Sequence, residues 1–122
     1  MRLGWAFAFW LQILLQLFSR KVAAGTVYHD FNITWVRAGP SGYERPMIGI
    51  NGQWPVPAIH VDIGDRVIIN VKNDLGNQST SLHFHGLFMN STGYMDGAAG
   101  TSQCDIAPGV SFQYDFVIQQ PG

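Results

Sequence analysis

A chain of 122 residues with a formal net charge of -1 is sized for one domain. Seven basic and eight acidic residues, with no Lys/Arg run, exclude the basic patch that a nucleic-acid partner docks on. The glycines are scattered at turns, so the chain has no phosphate-binding glycine loop.

The first 25 residues read MRLGWAFAFWLQILLQLFSRKVAAG. One early charge, Arg2, precedes an apolar run from Trp5 to Phe18, and Val22 and Ala24 supply small residues of the A-x-A type. This is the pattern of a secretory signal peptide over residues 1–24, cleaved after Ala24. The run is shorter than the roughly 20 apolar residues of a membrane span. Arg20 and Lys21 are unusual between an apolar run and a cleavage site, and leave an uncleaved anchor or a buried helix as the other readings. Three Asn-x-Ser/Thr sequons agree with export: Asn32-Ile33-Thr34, Asn77-Gln78-Ser79 and Asn90-Ser91-Thr92. Cleavage leaves residues 25–122, enough to bury a single core. Secreted domains usually pair their cysteines, so the lone Cys104 is free, bonded to another chain, or parted from its partner.

Beyond the leader the pattern has period two. Phe31, Ile33 and Trp35 fall on one face of a first run, with His29 beside this apolar set. Val67, Ile69 and Val71 share a face in RVIINVK, and Phe112, Tyr114, Phe116 and Ile118 share one in SFQYDFVI. These are half-buried strands of an expected antiparallel sheet. Turn signals separate them at 39–42, Asn51-Gly52, Gly64-Asp65, Asn73-Asp74 and Pro108-Gly109. NGQWPVPAI is too proline-rich for a central strand and reads as an extended edge or loop. Short strands so punctuated make an all-β sandwich or barrel. Residues 90–100, NSTGYMDGAAG, form a long loop of the kind that carries function.

Just before that loop stands Leu82-His83-Phe84-His85-Gly86-Leu87. On a strand, residues i and i+2 point the same way, so His83 and His85 share a face and Phe84 joins the core. Imidazole is the commonest side-chain metal ligand, and two on one face can chelate one metal or serve two. The spacing alone fits a surface histidine pair as well, and does not separate zinc from copper. His60 reads as a polar residue on an exposed face, and neither it nor His29 is expected to bind metal.

The segment from His83 onward resembles the first copper-binding segment of the multicopper oxidases. The family pattern His-x-His-Gly, Met-Asp-Gly, Gln-Cys-x-Ile-x-Pro-Gly is matched in order by His83–Gly86, Met95–Gly97 and Gln103–Gly109. RPMIGINGQWPVPAIHVDIGDRVIINVKN is similar to the family's Asn-Gly-x-x-Pro-x-Pro region, so the resemblance runs from about Val27 to Gly122. Phe84 between the histidines, with Leu87-Phe88 after Gly86, resembles the fungal ferroxidases; laccases more often have Trp there.

The resemblance implies a cupredoxin-like Greek-key β-sandwich over residues 25–122, ending before a second His-x-His motif. It implies copper, with His83 a ligand of the type 2 ion and His85 a ligand of one type 3 ion, in a trinuclear cluster that reduces O2 to water. It implies that Asp96 relays protons; read alone, Asp96-Gly97 is also an ordinary turn pair. It implies a disulfide from Cys104 to the C-terminal part of a longer protein, and glycans belong on Asn32, Asn77 and Asn90. Asp105 departs from the family's usual Pro, which bears on local loop shape. The reading is an N-terminal domain of a secreted or cell-surface oxidase, taking electrons from a small reductant such as ferrous iron or a phenol. The ferroxidase branch adds an iron permease as a partner, and the isolated chain is expected to be inactive. The other readings are a stand-alone secreted copper-binding module, and a metal-free structural or carbohydrate-binding sandwich.

Overall fold

A computed structural model describes residues 23–121. The expected leader lies outside the described residues apart from Ala23 and Ala24. Four strands form one sheet: β1 (Thr26–Ala38), β2 (Arg45–Ile50), β3 (Arg66–Asn73) and β4 (Ser111–Val117), in the order β2-β1-β3-β4. A 3-10 turn spans Gly93–Met95.

The strands form where β-branched and aromatic residues alternate with polar ones, a pattern that fits a half-buried pleated surface. The inward set is Phe31 and Ile33 of β1, Val67, Ile69 and Val71 of β3, and Tyr114 and Phe116 of β4. Ile50, Leu75, Ile106 and Ile118 complete a buried cluster. Removing such a side chain from water contributes about 1.5–3 kcal/mol for each aliphatic or Phe member. The outer face is mostly polar, with Ile68 buried between Tyr28 and Asp115. The Asn70 amide donates to Asp30 Oδ1 at 2.8 Å and its oxygen accepts from Gln113 at 2.7 Å. Arg66 Nε donates to Asp115 Oδ1 at 2.8 Å.

The opposing layer is extended chain without ladder partners. Ile59, Val61, Leu82, Phe84, Leu87, Met89 and Met95 lie on such segments and on the loop, and pack against the cluster. Asn73 ties the layers together. Fully buried, its Nδ2 donates to Gln78 O at 2.9 Å and Ile106 O at 2.8 Å, while its Oδ1 accepts from Leu75 N at 3.0 Å.

Three expectations need correction. β1 and β3 run parallel, Thr26 beside Arg66 through Ile33 beside Asn73; side chains alternate in either direction, so the period carries no sign. A parallel pair needs a crossover, here made by β2 and the proline-rich 51–65 segment. Trp35 is 40% exposed although it has the parity of the core. At Ile33 β1 passes from β3 to β2, and Trp35 lies beyond the shared sheet, its indole N–H donating to Leu75 O at 3.1 Å and Asn77 Oδ1 at 3.2 Å. His29 sits on the apolar face itself, its ring 5.5 Å from Phe31 and its Nε2 buried without a hydrogen-bond partner.

Candidate metal centre

Residues 81–89 belong to no strand of the sheet, and a turn at His85-Gly86, closed by the Leu87 N–H donating to Phe84 O at 3.2 Å, divides them. Burial alternates on either side of that turn, with the phase shifted by one residue at Gly86: Leu82 and Phe84 are half-buried and His83 and His85 exposed, then Leu87 and Met89 are half-buried and Phe88 exposed. Three contacts hold this register. Phe84 stands edge-on to Tyr114, centroids 5.2 Å apart, and lies 4.7 Å from Phe116. The Leu82 N–H donates to the Tyr114 hydroxyl at 3.0 Å. The Phe84 N–H donates to Asp96 O at 3.1 Å. Tyr114 is fully buried, and burial pushes its phenol pKa up, so it stays neutral as an anchor.

With Phe84 driven inward, the flanking imidazoles turn out together. Their centroids are 5.5 Å apart and their planes cross at 86°. His83 Nδ1 lies 2.9 Å from Asp96 O and 3.4 Å from Asp96 Oδ2. Both partners are acceptors only, the second when ionised, so Nδ1 carries the proton and donates. Nε2 of the neutral ring then keeps its lone pair. A donor nitrogen held this way is how proteins orient and strengthen a metal-ligating histidine.

The Asp96 carbonyl is reached because residue 97 is glycine. Gly97 is buried at φ 79°, and a Cβ there would stand 1.5 Å from Leu82 O and 3.0 Å from His83 Cα. The 93–97 loop thus lies backbone to backbone on the histidine segment. On the far side Gln120 clamps the turn after His85: its Oε1 accepts from Phe88 N at 2.7 Å and its Nε2 donates to Gly86 O at 2.9 Å.

The structure thus brings His83 against both His85 and Asp96. It does not bring His29 or His60 to them: His29 packs in β1, and His60 is exposed on the 51–65 segment. Cys104 is free and exposed. Asp105, beside it, accepts from Ser79 Oγ at 2.8 Å, so this loop is held despite the missing proline. Asn32, Asn77 and Asn90 are all exposed. Sequence reasoning missed Tyr114 as an anchor, Gly97 as a steric requirement and Gln120 altogether. A tyrosine within an apolar strand face was a signal, because a buried hydroxyl needs a partner.

A family model described as multicopper oxidase matches residues 32–122. The chain belongs to the multicopper oxidases. It is 58% identical over 113 residues to the iron transport multicopper oxidase fetC of Epichloe festucae, covering 92% of this chain and 18% of that protein. It is 67% identical over 100 residues to the iron transport multicopper oxidase FET3 of Gibberella zeae, covering 81% of this chain and 16% of that one. Among solved structures, Fet3p, a multicopper oxidase that functions in iron import, matches with TM-score 0.72 and 44% identity over 76% of this chain and 18% of that one. The laccase of Botrytis aclada matches with TM-score 0.77 and 37% identity, over 82% of this chain and 19% of that one. The chain therefore spans about a fifth of the length of these relatives, and its fold is the cupredoxin-like all-β domain they share.

Copper is the cofactor of this family, and the residues present suit part of a copper site. Two outward imidazoles, one with its Nδ1–H already engaged, supply nitrogen ligands that copper accepts readily. Among the described residues no group of three or more His, Cys, Asp or Glu side chains converges on one point.

Proposed function

We propose that this chain is the N-terminal domain of a secreted or cell-surface multicopper oxidase. It contributes His83 to the type 2 copper and His85 to a type 3 copper of a trinuclear cluster completed by other domains. The observation that carries this reading is the His83–His85 pair at 5.5 Å with His83 Nδ1 fixed on Asp96. The match of residues 32–122 to the multicopper oxidase family model supports a shared site over a stand-alone module.

Copper held by His83 and His85 together with ligands from other domains would supply one-electron redox chemistry, through which four electrons from the donor, with four protons, would convert O2 to two waters. The chain's own groups orient and protonate. Asp96 O holds His83 in one tautomer, and the Asp96 carboxylate, half-buried and 3.4 Å from that ring, is placed to relay a proton at this edge. Phe84, packed on Tyr114 and Phe116, keeps both imidazoles from turning into the core.

Relatives named for iron transport support ferrous iron as the reductant; an iron permease as the partner is part of the same proposal. Leader cleavage after Ala24, glycans on Asn32, Asn77 and Asn90, and a disulfide from Cys104 to a distant cysteine belong to the same proposal. The test is oxygen uptake by the full-length protein with ferrous iron and with a phenol. Uptake that is faster with iron and abolished by His85→Ala supports the reading; unchanged uptake by that variant refutes it.

A further inference from the structure

Asp65, at the head of β3, is a carboxylate that the copper chemistry does not use. It is 8% exposed and forms no ion pair with Lys, Arg or His among the described residues. Buried charges in proteins are as a rule paired. Two backbone N–H groups meet it instead: Asp62 N donates to Oδ2 at 3.0 Å and Gly25 N donates to Oδ1 at 2.7 Å. These bonds, the Asp62 one foremost, hold its pKa below the ordinary 3.8, so it is charged at neutral pH.

The Asp62 bond closes the turn before β3. The Gly25 bond spans 40 residues and ends on the residue that follows the expected cleavage point. Gly25 is itself held in register, since its carbonyl accepts from Arg66 N at 2.9 Å and Thr26 pairs with Arg66. Hydrolysis of the Ala24–Gly25 peptide bond adds water across it, leaving the Ala24 carboxylate on the leader and an α-ammonium on Gly25. The nitrogen stays where it is and gains a charge. Gly25 is exposed, so water meets the hydrogens that Asp65 does not.

We infer that leader removal converts the Gly25–Asp65 hydrogen bond into an ion pair that fastens the mature N-terminus to the sheet. The inference rests on the leader reading proposed above. A charge-assisted bond is roughly twice as strong as a neutral one. The titratable groups of the adjoining elements placed toward this end of the sheet are His60 and Asp62 on the preceding segment, Tyr28 and His29 on β1, Arg66 on β3 and Asp115 on β4. Arg66 is already engaged by Asp115, which leaves Asp65 for the amine. An ammonium stabilised in the fold has a raised pKa. Its contribution is complete below the unfolded value of about 7.7–8.0 and is lost as pH rises through the folded one.

The test uses the full-length secreted protein. Mass spectrometry of its N-terminal peptide is expected to find Gly25 first; another terminus overturns both the leader reading and the processing role. Separately, protein cut by an engineered protease site to begin at Gly25 is compared with protein beginning at Ala24 and with Asp65→Asn. The readout is the pH dependence of α-amine acylation. The Gly25 amine is expected to titrate about one pH unit above its usual 7.7–8.0, and so to react several-fold more slowly near pH 8. Both comparison proteins should titrate in the usual range. The Ala24 form leaves every folded residue intact, so it decides even where Asp65→Asn fails to fold. A Gly25 amine that titrates no higher than the Ala24 amine overturns the ion pair alone.

Discussion

Gly97→Ala is expected to uncouple Asp96 from the histidine segment. The first cost is conformational: Gly97 has φ 79°, and the left-handed region costs a residue with a Cβ about 1–2 kcal/mol. The second is steric. The new methyl would stand 1.5 Å from Leu82 O and 2.5 Å from Leu82 C, both backbone atoms, so no rotamer relieves it. The loop must lift, breaking the Phe84 N–Asp96 O bond of 3.1 Å and the His83 Nδ1–Asp96 O contact of 2.9 Å. At about 0.5–1.5 kcal/mol each, these bring the total to about 2–5 kcal/mol. Gly100→Ala is the matched control. Gly100 has φ 74°, but a Cβ there meets nothing within 4 Å, so only the conformational cost applies. The assay is thermal unfolding of the full-length protein together with its copper content. Gly97→Ala should lower both, and Gly100→Ala should lower the melting temperature slightly with copper retained. Equal effects in the two variants would refute the steric argument.

Asn73→Ala strands Gln78 O, Ile106 O and Leu75 N without their partner, and should destabilise by about 3 kcal/mol or more in chemical denaturation. Asp115, held low by its hydrogen bond with Arg66, and Asp74, held low by Lys72, sit below the ordinary 3.8. A depressed carboxylate contributes stability above its unfolded value and loses it as pH falls through the folded one, so the melting temperature should drop below about pH 4. Asp115→Asn should flatten part of that drop. In the full-length secreted protein Cys104 should resist alkylation until a reductant is added; immediate labelling would remove the proposed disulfide.

The core was legible because it is periodic. Phe31, Ile33, Val67, Ile69, Val71, Tyr114 and Phe116 all point inward, as alternation requires. The same rule placed His83 and His85 on one side even though their segment pairs with no strand, because the Phe84 side chain, not a ladder, sets the register. Strand direction was not legible, since parallel and antiparallel strands alternate alike; hence the parallel β1–β3 pair. β2 escaped notice because RPMIGI holds a proline and a glycine and shows no alternation. At the site, Asp96 was read for its carboxylate, but its carbonyl makes the shorter contact to His83. A backbone group leaves no trace in residue type. Gly97 left one only indirectly, as the glycine of a motif whose steric reason appears when Leu82 is brought against it.

The most direct measurement is copper per molecule, with the electron paramagnetic resonance spectrum, of the full-length protein and its His83→Ala variant. If His83 ligates the type 2 ion, the variant loses copper and the type 2 signal. A variant that keeps its full copper content and an unchanged type 2 signal would contradict the account.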